Sequence, residues 1–141
     1  MVKVTCCVFV DRKAGEAFSF VATNFFSNLH KWNPTLLEVK QLSRGPVGVG
    51  TAGWEVQRIQ ERPYERNFEV VEYEPDVRFA VASTEPPSKE TYRSSYTVRE
   101  IDGKTEIMFD FEYDAPGLFF RMFDRWSAGR FGRMSKRTWG A

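Results

Sequence analysis

One histidine, His30, lies in the stretch FSNLHKWNPTLLEV (Phe26–Val39), two residues before Trp32. Imidazole titrates near neutrality, which suits it to general base chemistry. Such a base needs a nucleophile beside it and an acid to orient it. The sequence has no Gly-x-Ser-x-Gly elbow to supply the nucleophile. Pro34 disfavours helical geometry at Asn33. The stretch therefore reads as a corner where a short helix ends, with His30 on the surface and Trp32 covering an edge of the core.

The other residues that could act on a substrate sit on strands. Trp54, Val56 and Arg58 alternate with Gly53, Glu55 and Gln57, and alternation places the two sets on opposite faces. The pattern alone does not say which set faces in. The apolar pair favours the Trp54 face, which carries Arg58 inward, where it would hold a carboxylate or polarise a carbonyl. Tyr96 would donate a proton or hydrogen bond to an enolate-like oxygen. Arg58 and Tyr96 are thus the candidate catalytic groups. Cys6 and Cys7 are adjacent, so they point to opposite faces of a strand and cannot pair without strain. With no CxxC and no Cys/His cluster, a zinc or redox site is not expected. No glycine-rich phosphate loop stands between a strand and a helix, so no nucleotide cofactor is implied.

The elements that must position these residues follow from periodicity. Val2–Val10 is rich in β-branched residues and reads as a strand. Ala17, Phe18, Val21 and Phe25 recur at helical spacing; Asn24 breaks that helix, and a second short one carries Phe26, Leu29 and His30. Strands then follow over 35–42, 51–59, 64–73, 77–84, 90–100 and 105–114. Turns separate them, among them SRGPVGVG and the Asp102-Gly103 hairpin signal. Ile107, Phe109, Phe111 and Tyr113 share one face of the last strand, and their hairpin partners Tyr92, Tyr96 and Val98 share it too. Phe68 and Val70 on one strand, and Phe79 and Val81 on the next, line the same wall. After Pro116-Gly117, apolar residues including Phe119 and Phe123 return to helical spacing. Antiparallel strands with segregated helices make an α+β domain.

Several phrases in this order resemble the START-like, or SRPBCC, superfamily, in its polyketide cyclase/dehydrase-type members. AGEAFSFVATNFFSNLHKWNP looks like the family's helix pair ending in a tryptophan. GPVGVGT looks like its glycine turn, VVEYEPDVRFA like a later strand turn, and DGKTEIMFDFEYDAPG like the hairpin before the terminal helix. The resemblance spans nearly the whole chain and implies one domain over 1–141 with the helix-grip (Bet v 1/START-like) fold. In that fold a seven-stranded antiparallel sheet wraps a long C-terminal helix over an apolar cavity. The family's terminal helix is usually longer than the stretch that ends here at Ala141.

The resemblance implies a small hydrophobic ligand, polyketide-, aromatic- or lipid-like, and opens the reaction class of aldol cyclisation or dehydration. The rings Trp54, Phe68, Phe79, Tyr92, Phe109, Phe111, Phe119 and Phe123, with Val70 and Val81, are the expected ligand wall. The composition admits it: 13 Phe, 5 Tyr and 4 Trp are ring surface that either fills a large core or lines an apolar pocket. A net charge of +1 gives no global attraction to nucleic acid. From Gly117 to Ala141, however, six Lys/Arg face the single acid Asp124. Such a basic, aromatic helix opens a second reading, a non-catalytic lipid carrier that touches membranes transiently. The short N-terminal apolar run is unlike a signal peptide, and no stretch approaches the ~20 apolar residues of a membrane span. A cytoplasmic protein is the expectation.

Overall fold

The computed structural model describes residues 2–59, 61–84 and 91–114. The expected C-terminal helix, with Phe119, Phe123 and its six cations, lies outside the described residues.

Strand β1 (Val2–Val10) leads into helix α1 (Ala14–Phe18), which runs on as a π-helical turn over Ser19–Thr23. Asn24 interrupts it: φ is −106° and ψ 31°, and both its backbone N–H and its side-chain amide donate to the Ser19 carbonyl. Helix α2 (Phe25–Asn28) follows and tightens into a 3₁₀ turn over Leu29–Lys31. Six strands then run β2 (Leu36–Gln41), β3 (Ala52–Ile59), β4 (Arg62–Glu74), β5 (Arg78–Ser83), β6 (Thr91–Ile101) and β7 (Lys104–Asp114). The expected turn at Glu61–Pro63 is shorter than read, since β4 already begins at Arg62.

The sheet has seven strands in the order β1-β7-β6-β5-β4-β3-β2, and every neighbouring pair is antiparallel. The chain meanders from β2 to β7, and β1 closes the row beside β7. Asp102 and Gly103 turn the β6–β7 hairpin with φ of 52° and 80°. Two positive φ values in a two-residue loop match the twist of the flanking strands. The β4–β5 ladder slips by one residue between Val70 and Glu72. This bulge moves the inward set from Phe68 and Val70 to Tyr73, which packs its ring edge against Phe18, 5.3 Å between centroids.

One face of the sheet takes the helices. Ala17, Phe18, Val21, Ala22, Phe25 and Leu29 are buried against Phe79, Tyr96, Val98, Ile107 and Phe109. Phe25 is the hub, with its ring 5.2 Å from Phe79, 6.0 Å from Phe68 and 6.5 Å from Tyr96. Trp32 is 1% exposed, and its Nε1 donates to Tyr96 Oη at 3.4 Å. His30 is exposed. The helical segment thus ends at the corner Asn33-Pro34, as its residues suggest. Cys6 is half-buried and Cys7 exposed, as neighbours pointing to opposite faces of a strand should be. No helix among the described residues is long and apolar enough to cross a membrane.

Candidate functional site

Among the described residues, the two short helices do not fill the face of the sheet they cover. A cavity remains over the middle of β3–β7, with about 50 Å³ open to the centres of water molecules. Its apolar wall is Phe25 and Leu29 from the helical segment with Phe68, Val81, Phe109 and Phe111 from the sheet. Its polar lining is Glu55, Gln57, Arg66, Tyr92, Ser94 and Tyr96, with Asn33 and Thr35 at the corner.

The polar end is built from the β3–β4 ladder. Glu55 and Arg66 face each other directly across it and are 4% and 6% exposed. Tyr92 on β6 joins them. Its Oη donates to Glu55 Oε1 at 2.9 Å, and the Arg66 guanidinium carbon sits 5.0 Å over its ring. Phe111 stacks near that ring, centroids 5.8 Å apart and 15° from parallel. Buried ions survive only when paired and hydrogen-bonded; here Glu55 accepts from Tyr92 and has the Arg66 charge facing it across the ladder.

The corner after α2 secures the rest. Asn33 Oδ1 accepts from the Thr35 N–H at 3.2 Å, closing an Asx turn. Thr35 Oγ1 lies 2.9 Å from Asn33 Oδ1 and 2.7 Å from Gln57 Oε1, its one proton shared between them. With its Oε1 facing that hydroxyl, Gln57 leaves its amide to favour the charged form of Glu55 beside it.

Burial raises the Glu55 carboxyl above its ordinary range, while Arg66, Tyr92 and Gln57 pull it back. The Tyr92 phenol is pushed well up, first by burial and then by the Glu55 charge. Tyr96 is pushed up by burial, offset in part by the Trp32 N–H. Both phenols therefore stay protonated and can donate at neutral pH, while Glu55 is a proton acceptor whose affinity for the proton is heightened.

The expected site residues divide cleanly. Phe68, Val81, Tyr92, Tyr96, Phe109 and Phe111 line the cavity. Val70 and Phe79 are buried in the core and do not line it. The inward face of β3 is the opposite of the one expected. Gly53, Glu55 and Gln57 are buried; Trp54 is half-buried on the outer face, and Arg58 is exposed there. Trp54 lies beneath Lys40 Nζ, 5.6 Å from its ring centroid. The reason is packing from the next strand. The Phe68 ring crosses Gly53 so closely that a Cβ there would lie 2.4 Å from it, and Arg66 supplies the countercharge that lets Glu55 face in. Arg58 is therefore no part of this cavity. Glu55, Gln57, Arg66 and Ser94 line the cavity without having been expected there, and a signal for two of them, Arg66 and Glu55, lies in β4. Arg66 has the same parity on β4 as Phe68 and Val70, and Glu55 is the acid its register brings opposite.

A family model described as "Polyketide cyclase / dehydrase and lipid transport" matches residues 1–141. The chain belongs to that family. Solved structures share the fold at low identity. A protein of Deinococcus radiodurans is 15% identical with a TM-score of 0.69, covering 100% of both chains. A major latex-like protein of Panax ginseng is 12% identical with a TM-score of 0.65, over 86% of this chain and 89% of the other. BexL, a di-domain ARO/CYC protein of the BE-7585A biosynthetic pathway, is 15% identical with a TM-score of 0.62, over 89% of this chain and 41% of its own. A search among curated protein sequences finds no match.

Proposed function

We propose that this family member binds a small hydrophobic ligand, of polyketide, aromatic or lipid type, in the cavity between the sheet and the helices. The observation that carries the reading is the cavity itself: a ring-lined wall with a few polar groups gathered at one end, the usual composition of a small-molecule site. The family description, which covers both polyketide chemistry and lipid transport, supports it. Filling the space tests it. Ser94 lines the cavity on β6, opposite Val81 and Phe111. Ser94→Phe should lower the affinity for 1-octanol, read by titration calorimetry, at least about tenfold with unchanged circular dichroism. Wild-type affinity in that folded variant would remove the cavity as the site.

The convergence of Glu55, Arg66, Tyr92 and Tyr96 favours catalysis over passive carriage. A carrier needs only a smooth apolar pocket. Here an acceptor and two phenol donors meet at one end, the set an aldol cyclisation or dehydration requires: a base for the proton beside a carbonyl and donors for the enolate oxygen. Tyr96 keeps the donor role expected of it, and Glu55 with Tyr92 takes the place given to Arg58. With a linear poly-β-carbonyl thioester as substrate, Glu55→Gln should slow formation of the cyclised product about 10²-fold or more. Product formation at the wild-type rate would leave only the binding role.

A further inference from the structure

Tyr92, Ser94 and Tyr96 occupy alternate positions on β6, and all line the cavity. The two phenols are engaged: Tyr92 donates to Glu55, and Tyr96 accepts from the Trp32 indole. Ser94 differs from both. It is 7% exposed, and its ladder partners on either side are apolar, Val81 on β5 and Phe111 on β7. Among the described residues no hydrogen bond reaches its hydroxyl. A hydroxyl taken from water without a partner is destabilising, and buried polar groups in folded proteins are bonded with few exceptions. Space alone does not account for a serine at this position. Alanine would leave the same room and bury no polar atom.

Resting on the reading that this cavity takes a hydrophobic guest, we infer that Ser94 is a ligand-binding residue whose hydroxyl bonds a second oxygen on a guest oxygenated along its chain, as a β-dicarbonyl is. Serine can donate to a carbonyl or accept from a hydroxyl. Ser94 stands one inward position from each tyrosine on the same strand. It therefore meets a different part of the guest from the oxygen that Tyr96 binds. A plain hydrocarbon tail, as in a simple lipid, has nothing to offer there and leaves the hydroxyl unsatisfied. A site that bonds an oxygen disfavours the analogue lacking it. The guest is thereby narrowed from any hydrophobe to an oxygenated chain of polyketide type.

Two ketones with one carbon chain separate the cases: 2-nonanone, with a single carbonyl, and 2,4-nonanedione, with a second. Titration calorimetry should show Ser94→Ala binding the dione at least about threefold more weakly than wild type. Its affinity for 2-nonanone should stay within about twofold. A smaller loss for the dione, or an equal loss for both ketones, overturns the role of Ser94, while binding of either ketone by the wild type preserves the cavity as the ligand site. The ligand-free protein gives an independent readout. Removing a hydroxyl that has no partner breaks no bond, so the urea midpoint of ligand-free Ser94→Ala should be no lower than that of wild type. A lower midpoint, or a variant that does not fold, would mean that the hydroxyl is already bonded within the fold, and overturns its role in binding. Absence of binding of both ketones by the wild type overturns the cavity reading and the role of Ser94 together.

Discussion

Glu55 is a carboxylate kept from water but ringed by donors, and its energetics can be measured apart from any ligand. Tyr92 donates to it at 2.9 Å, and a hydrogen bond to a charged group contributes about 1.5–3 kcal/mol. Tyr92→Phe should lose about that much stability in urea unfolding at pH 7. The pH dependence has a definite sign. The Glu55 carboxyl is raised in the folded state, chiefly by burial. Its contribution is most favourable below the unfolded-state value, where both states are protonated, and is lost as pH rises through the raised folded value. Glu55→Gln cannot titrate. The stability of that variant relative to wild type should therefore improve as pH rises from about 4 to 7, followed by parallel urea titrations. A gap that narrows in the opposite sense would mean that Arg66 and the donors outweigh the burial. On the outer face the sign reverses. Glu72 accepts from Arg78 at 2.6 Å and pairs with Arg93 at 3.0 Å, which hold its carboxyl low. Its favourable contribution is present above the unfolded value and lost as pH falls through the folded one. Exposure limits it to about 1 kcal/mol or less.

Among the elements, β3 is where local pattern and tertiary packing disagree. Gly53 gives up its side chain so that the Phe68 ring can lie across it, with Phe26 stacked 5.9 Å from that ring. Gly53→Ala should cost about 1–3 kcal/mol by overpacking, read from the midpoint of thermal or urea unfolding. A neutral outcome would mean that Phe68 can swing aside. This explains what was legible in the sequence. The strands, the break at Asn24, the corner at Pro34 and the Asp102-Gly103 hairpin all follow from local rules, and all appear. The inward faces of β6 and β7 were legible because Tyr92, Tyr96, Phe109 and Phe111 alternate with polar residues. The inward face of β3 was not. Its hydrophobic members, Trp54 and Val56, lie outside because a neighbouring strand fills the interior in their place. A buried acid and base facing each other across the ladder break the rule that apolar residues point in, and only the β4 register reveals them. The bulge after Val70 has the same character, since it re-aims Tyr73 without any glycine to mark it.

At the scale of the whole molecule, the described residues put a seven-stranded sheet and a broken helical segment together with a cavity between them. Among the described residues, the interruption at Asn24 and the stop at Pro34 keep the helices short, so they pack on Phe79, Val98 and Ile107 and leave a cavity between Glu55 and Phe109. Core and cavity wall look alike in sequence: Phe79 and Phe68 occupy neighbouring strands, yet one is sealed and the other faces open space. That difference arises only when the elements assemble, so the position of a guest is the direct check. Intermolecular nuclear Overhauser contacts between 1-octanol and the labelled protein would locate it. Contacts should fall on the methyl groups of Leu29 and Val81 and on the rings of Phe68 and Phe109, with none to Trp54 or Val56. Contacts confined to the outer face, at Trp54, Val56 or the exposed Leu37, would contradict the account.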